Sequence, residues 1–412
     1  MDELKQIKKK STWKGILIGT LVTGFLVTSI AIAAIIIQGR FLSGGNKSSN
    51  SGELIDDYVL AKTDSIKKMI DKHFYFTDQI DEELMKENIY RAVVVALGDQ
   101  YSEYYTEQEI QDIMTDDSGV YCGMGSYVTM DTETNLPMLS GVFEDSPARD
   151  AGLRDGDIIY AVDGELTAGE DLDTVVSKIK GQENTTVTLT IVREGESEPF
   201  DVVVTRRKVE TPTIESELKE GDIGYIQIKE FIEVTSEQFS QAYENLQNQG
   251  MKALIIDLRS NGGGFVNECV EICEELLPEG VITYLIDKDG NRTDYNGRGK
   301  DPISIPMVVL VNGYTASASE IMTGAIRDYK AGTIIGTKTF GKGIVQDTYM
   351  FNDGSAVKLT TASYYTPSGE CIHGIGIDPD IEVEFDGERY YNGDGGDNQI
   401  EYAIDYLKEQ LK

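Results

Sequence analysis

Two short segments hold the residues whose types and spacing could do chemistry. In Tyr314-Thr315-Ala316-Ser317-Ala318-Ser319-Glu320, hydroxyls sit among very small side chains. In Thr339-Phe340-Gly341-Lys342-Gly343-Ile344-Val345-Gln346, a lysine lies between two glycines. The chain has only two histidines, His73 and His373. This combination points to a serine nucleophile served by a lysine base rather than by an imidazole.

The elements around Ser317 support that chemistry. Met307–Val311 is an uninterrupted apolar run of strand length, and Ala318–Tyr329 carries helical periodicity through Ile321, Met322, Ala325 and Ile326. A serine at such a junction stands at the C-terminal edge of a strand, where α/β sheets place ligands. The free N–H groups of the helix N-terminus suit a developing oxyanion. Ser317 or Ser319 could equally be the N-cap of that helix, a common role for serine. Lys342 weighs against this plain reading. Its flanking glycines permit a tight turn, and burial would lower its pKa towards the range a general base needs. Lys338 is a rival base, and the amide of Gln346 stands where it could orient the amine.

A third segment, Asp257-Leu258-Arg259-Ser260-Asn261-Gly262-Gly263-Gly264, follows the apolar strand Ala253–Leu258 and opens a helix over Asn267–Leu277. Its backbone N–H groups could complete an oxyanion hole. Gly336–Gly343 falls one residue short of a phosphate-binding P-loop, but position 343 is glycine where magnesium needs a hydroxyl. The apolar runs after it (Val345–Phe351, Val357–Tyr365) are strand-like, whereas phosphates need a helix. Nucleotide binding is therefore rejected. The alternation continues with a strand over Ile223–Ile228, a helix over Glu237–Asn248 and a strand over Thr333–Gly336, which makes an α/β core with an antiparallel extension.

Upstream, Val120–Arg206 changes to short strands (Val120–Met130, Leu139–Phe143, Ile158–Val162, Thr186–Val192, Phe200–Val204) with short helices at Ser146–Gly152 and Asp171–Lys180. This order of elements resembles a PDZ domain, and Gly156–Gly164 is close to a hallmark of that fold. Such modules bind an extended peptide along an open sheet edge, with its terminal carboxylate on the N–H groups of a glycine-rich turn. The turn here is Tyr121–Tyr127, with Gly123, Met124 and Gly125 at its centre. Further upstream, Leu54–Leu97 reads as helices, with apolar residues at helical spacing.

Composition bounds the rest. The 412 residues are enough for two or three domains, and the net charge is −34. Residues 1–40 carry +4, so the remainder is strongly acidic and unsuited to binding nucleic acid. Cys122, Cys269, Cys273 and Cys371 form no metal-binding hooks, and Cys269 and Cys273 are expected to be buried thiols. No metal or cofactor is expected. Gly15–Ile37 is free of charge over 23 residues and follows a cluster of lysines. It reads as an uncleaved signal anchor with its N-terminus cytoplasmic and the rest of the protein extracytoplasmic. A cleaved signal peptide is the alternative.

The segments YTASASE, TFGKGIVQ, DLRSNGGG and LGDQYSEYY, with the PDZ-like insertion, resemble in kind and order those of the carboxy-terminal processing (tail-specific) proteases, from about Leu54 to the end of the chain. The resemblance implies a protease core that is crotonase- or Clp-protease-like, and it selects Ser317 over Ser319 and Lys342 over Lys338. It assigns Gln346 to positioning the lysine, and the N–H groups of Ala318 and Gly263 to the oxyanion. It further implies a PDZ domain that captures the apolar C-terminal tails of protein substrates, and it is consistent with homodimerisation through the N-terminal helices. The expected organisation is a cytoplasmic N-terminus and anchor (1–40), a linker (41–53), a helical region (54–106), a PDZ domain (107–207), the protease core (208–386) and a C-terminal tail with a helix (387–412). The alternative is a catalytically inactive PDZ scaffold.

Overall fold

The computed structural model describes residues 55–299, 302–391 and 396–412. The apolar run Gly15–Ile37 and the linker expected over 41–53 lie outside these residues. Among the described residues, no helix is long and apolar enough to cross a membrane. The chain divides into a unit ending at Asp81 and a second unit from Glu82 to Lys412. The first contains helix α1 (Asp57–His73), capped by the Asp56 carboxylate on the Val59 N–H, and none of its helical residues is buried.

The second unit opens with α2 (Glu82–Val95), β1 (Glu103–Tyr105) and α3 (Glu107–Asp117). A reciprocal capping box starts α3: Glu109 N–H donates to the Thr106 hydroxyl, and Thr106 N–H donates to the Glu109 carboxylate. The run expected as one strand over Val120–Met130 is two, β2 (Val120–Gly123) and β3 (Ser126–Met130). Gly125 breaks it with φ +76°, and the two halves join different sheets. The chain continues through β4 (Pro137–Val142), α4 (Pro147–Asp150), β5 (Ile158–Val162), β6 (Glu165–Leu166), α5 (Leu172–Ile179), β7 (Thr186–Val192), β8 (Phe200–Thr205) and β9 (Arg207–Glu210). The order β3-β4-β5-β7-β8 leaves β3 at a sheet edge. Antiparallel pairing of β2 with β9 brings the entry and exit of this small domain together.

The core sheet then forms from β10 (Ile214–Lys219), β11 (Ile223–Ile228), β12 (Ala253–Asp257), β15 (Met307–Val311), β16 (Thr333–Gly336) and β19 (Ile381–Glu382), in that spatial order. Only the β10–β11 pairing is antiparallel. Helices α6 (Thr235–Asn248), α7 (Val266–Leu276) and α8 (Ala318–Tyr329) return the chain between parallel strands. Side chains of β12 and β15 alternate between two apolar layers, as period-two geometry requires. Leu254, Ile256, Val309 and Val311 pack with Phe239, Ile272 and Met322. Ala253, Ile255, Val308 and Leu310 pack with Ala403 and Leu407 of the terminal helix α10 (Asn398–Gln410), which follows the short α9 (Gly387–Tyr391). Burial on both faces explains why these strands read as unbroken apolar runs. The antiparallel extension is a second sheet of β1, β13 (Gly280–Asp287), β14 (Arg292–Gly297), β17 (Ile344–Met350) and β18 (Ala356–Tyr365).

One buried ion cluster ties the C-terminal helix to the end of β12. Asp257 is fully buried and accepts from Tyr225 Oη at 2.9 Å and from Arg259 Nη2 at 2.6 Å, while Arg259 Nη1 reaches Asp397, the N-cap of α10, at 2.8 Å. Burial opposes the Arg259 charge, yet the two aspartates outweigh it and hold its pKa above the usual arginine value. Removing one partner strands a buried charge. Arg259→Ala should therefore destabilise the protein by about 3–5 kcal/mol in chemical denaturation.

Candidate active site

The C-terminal ends of the parallel strands converge on one place. β12 runs into the Arg259–Gly264 turn, β15 into Asn312–Ser317, and β16 into Thr337–Gly343. Asn261 stitches the first two turns together. Its buried amide donates to the Ile228 carbonyl at 2.8 Å and accepts the Gly263 N–H at 2.8 Å. Its own carbonyl accepts the Ala316 N–H at 3.0 Å and the Ser319 hydroxyl at 3.1 Å. The Thr315 hydroxyl bonds the Leu258 carbonyl at 2.8 Å, and the Thr315 carbonyl takes the Phe340 N–H at 3.0 Å.

Ser317 stands at the N-cap position of α8 with φ +57° and ψ −118°, a conformation few non-glycine residues adopt. Holding it there costs about 1–3 kcal/mol, and such strain concentrates at functional sites. The turn tips the half-buried Ser317 into a cleft of about 440 Å³ lined also by Gly262, Gly264, Lys342 and Gln346. Ser319, by contrast, is fully buried with its hydroxyl bonded to Asn261. Ala318 is the first helical residue, so its N–H has no acceptor within its own helix.

Lys342 is half-buried on the opposite loop. Burial lowers its pKa from the usual lysine value, the positive Lys358 lowers it further, and the negative Asp99 partly opposes both. Lys338 instead points to Asp378 at 3.2 Å on an exposed surface. The glycines flanking Lys342 are required by close packing. A side chain at Gly343 would lie 2.6 Å from the His373 N–H nitrogen, and one at Gly341 would lie 2.8 Å from that of Gly376. The segment after Lys342 is β17, a strand, so the near-P-loop spacing has no helix to receive phosphates. Gln346 lines the cleft, but its amide donates to the Thr360 hydroxyl at 3.1 Å. Among the described residues, no cluster of three or more His, Cys, Asp or Glu side chains is arranged to hold a metal.

The residue that joins the serine turn to the lysine loop is Glu320, the last residue of the Tyr314–Glu320 segment. It is fully buried. One carboxylate oxygen accepts the Ser317 N–H at 3.0 Å and the Lys342 N–H at 2.8 Å. The other accepts the Thr339 hydroxyl at 2.6 Å and the Gly341 N–H at 2.7 Å. A serine followed three residues later by glutamate is the capping-box pattern, and it was the available signal.

The expectation for Gly263 needs correction in one respect. Its N–H is already engaged by Asn261 Oδ1, so in this conformation it is not free for an oxyanion. What the structure demands of Gly263 is the absence of a side chain. With φ +104°, a Cβ there would lie 2.7 Å from Ser317 Cβ and 2.9 Å from the Ala318 nitrogen. Gly262 has nothing within 4 Å of such a Cβ. Gly263→Ala should therefore lower peptidase activity by roughly 10²-fold, while Gly262→Ala stays within a few-fold of the parent; kcat/KM on one substrate decides this.

In the small domain, Met124 is buried, and Gly123 and Met124 line a groove of about 360 Å³ beside the edge strand β3. Its floor includes Val128, Phe143, Val176 and Ile179. Gly125 belongs to the same turn, where a Cβ would collide with Ser146 at 2.5 Å.

Comparison with known proteins agrees with this architecture. Residues 222–383 match the family model for peptidase family S41, and residues 139–193 match that for the PDZ domain. A protein of Staphylococcus aureus (strain COL) described as a probable CtpA-like serine protease is 34% identical over 380 residues, covering 91% of this chain and 73% of its own length. Its counterpart in Staphylococcus saprophyticus is 33% identical, with 88% and 72% covered. The solved photosystem II D1 C-terminal processing protease is 29% identical at a TM-score of 0.46, covering 79% of this chain and 88% of that one. With extensive identity over most of both sequences, this chain belongs to the CtpA-like serine proteases of peptidase family S41 and carries a PDZ domain.

Proposed function

We propose that the protein is an endopeptidase that cleaves extracytoplasmic proteins near their C-termini with a Ser317/Lys342 dyad. The observation that carries this reading is the shared cleft, lined both by a serine on a strained turn at a helix N-terminus and by a lysine whose burial favours the neutral amine. In the reaction, Ser317 Oγ forms a bond to the scissile carbonyl carbon and passes its proton to Lys342 Nζ. The oxyanion that results lies against the N–H of Ala318, with Gly263 joining as second donor by exchanging its bond to Asn261. The Lys342 ammonium then protonates the leaving amine as the C–N bond breaks, which leaves an acyl-enzyme. Water attacks this ester, its proton passes to Lys342, and the proton returns to Ser317 as the new C-terminus departs. Gln346 fixes the cleft wall through Thr360 rather than by holding the amine in this state.

The PDZ groove serves this chemistry by taking the apolar C-terminal tail as an added strand on β3, a role supported by the free edge and the apolar floor. The apolar run at Gly15–Ile37 would tether the enzyme to a membrane with this body outside the cytoplasm, and pairing of N-terminal helices would make a homodimer. A mostly parallel sheet backed by helices is in keeping with a crotonase- or Clp-protease-like core.

Ser317→Ala and Lys342→Ala should each abolish cleavage of an unstructured protein with an apolar tail, and amidating that tail should slow the parent enzyme. The rate should rise with pH along a limb set below the ordinary lysine pKa of 10.5, because the amine acts only when unprotonated. Retained turnover in Ser317→Ala would contradict the dyad.

A further inference from the structure

The loop between α2 and β1 enters the site from a part of the sequence that supplies none of the reacting groups. Pairing of β1 with β18 anchors it, Glu103 lying opposite Lys358. A chain of hydrogen bonds then fixes it to the cleft wall. Gln346 Nε2 donates to Thr360 Oγ1 at 3.1 Å, and the Thr360 N–H donates to Ser102 Oγ at 3.1 Å. Ser102 Oγ donates to Asp99 at 2.6 Å, and the other Asp99 oxygen accepts the Tyr101 N–H at 3.1 Å. The result is that the Tyr101 ring centroid lies 4.7 Å from Lys342 Nζ.

We infer that Tyr101 is a positioning residue for the dyad, its π face stabilising the ammonium that Lys342 becomes when it takes the serine proton. This inference rests on the assignment of Lys342 as the base. The face of an aromatic ring attracts a cation within about 6 Å of its centroid and does little for a neutral amine. An interaction that strengthens as charge develops lowers the barrier, whereas one equal in both states does not. Two charged groups also act on the amine. Lys358 on β18 repels the cation, and Asp99 attracts it through its charge while its oxygens accept from Ser102 and Tyr101. Glu320 is engaged by backbone N–H groups of both loops, and Asp347, also on the cleft, accepts from Thr361. His373 packs beneath Gly343, and Tyr295 lines the far wall. The ring thus offsets part of the destabilisation of the charged form that burial and Lys358 impose, without contributing a second acceptor that would hold the amine away from Ser317.

The sign of the effect separates this role from a merely structural one. Losing the π face removes cation stabilisation, so the pKa of the base should fall. Loosening the site and admitting water would instead raise it towards the ordinary value. The test is the pH profile of kcat for the full-length Tyr101→Leu and Tyr101→Phe enzymes on one apolar-tailed substrate, with Lys342→Ala in parallel. For Tyr101→Leu we expect the plateau to fall about three- to tenfold at nearly unchanged KM, and the acidic limb to move down by about 0.5–1 pH unit. Tyr101→Phe keeps the ring and should match the parent in both. A Tyr101→Leu limb that stays in place or moves up overturns the role, as does a Tyr101→Phe enzyme that behaves like Tyr101→Leu, which would assign the effect to the hydroxyl. Full activity of Lys342→Ala would overturn the base assignment and this inference together; loss of activity there leaves the Tyr101 outcomes to decide the inference alone.

Discussion

The buried Glu320 carboxylate is the interaction on which the rest of the site depends. A fully buried carboxylate is tolerable only when its oxygens are saturated with donors, and each oxygen of Glu320 takes two. Those donors come from two loops that leave different strands, one carrying Ser317 and the other Lys342. Neither loop can move without leaving part of that charge unsatisfied, so the cost of a buried carboxylate becomes the force that fixes the distance between nucleophile and base. Thr339 extends the clamp, since its hydroxyl donates to Glu320 and accepts the Ile377 N–H at 2.7 Å.

Around this clamp backbone segments pack too closely for side chains at Gly263, Gly341 and Gly343. Ser317 is held at a positive φ on the outer side of a turn whose inner side is filled by Gly263, and the Tyr364 hydroxyl bonds the Ser317 carbonyl at 3.0 Å. Behind these turns lies the doubly covered parallel sheet. The Arg259–Asp257–Asp397 cluster anchors the first turn of the site to the C-terminal helix.

Much of this was legible in the sequence, for identifiable reasons. β12 and β15 are buried on both faces, so Ala253–Asp257 and Met307–Val311 read as apolar runs, and the helices between them carry clear periodicity. β10 and β14 escape sequence reading because they are half-exposed and mix polar with apolar residues, as in Arg292–Gly297, whereas β13 carries an apolar run (Val281–Ile286) that is legible as a strand. Small neighbours and flanking glycines point to Ser317 and Lys342, which line one cleft, although position alone leaves Ser319 and Lys338 open. The role of Glu320 is not legible in sequence, because a glutamate three residues after a serine ordinarily caps its own helix and its bonds to residues 339–342 are long-range. The same holds for Tyr101, whose neighbour Lys342 is far away in the sequence. The Gly263 N–H illustrates the converse, since Asn261, two residues before it, takes the bond a substrate would need.

If Glu320 sets the geometry, then Ser317 and Lys342 should be inert together without it, even in a folded protein. The most direct measurement is the rate of covalent labelling of Ser317 by a fluorophosphonate at several pH values, in the parent enzyme and in Glu320→Ala, with folding of both verified by circular dichroism. Labelling should be slowed by roughly 10²-fold or more in Glu320→Ala at every pH. Equal labelling rates in the two folded proteins would contradict it.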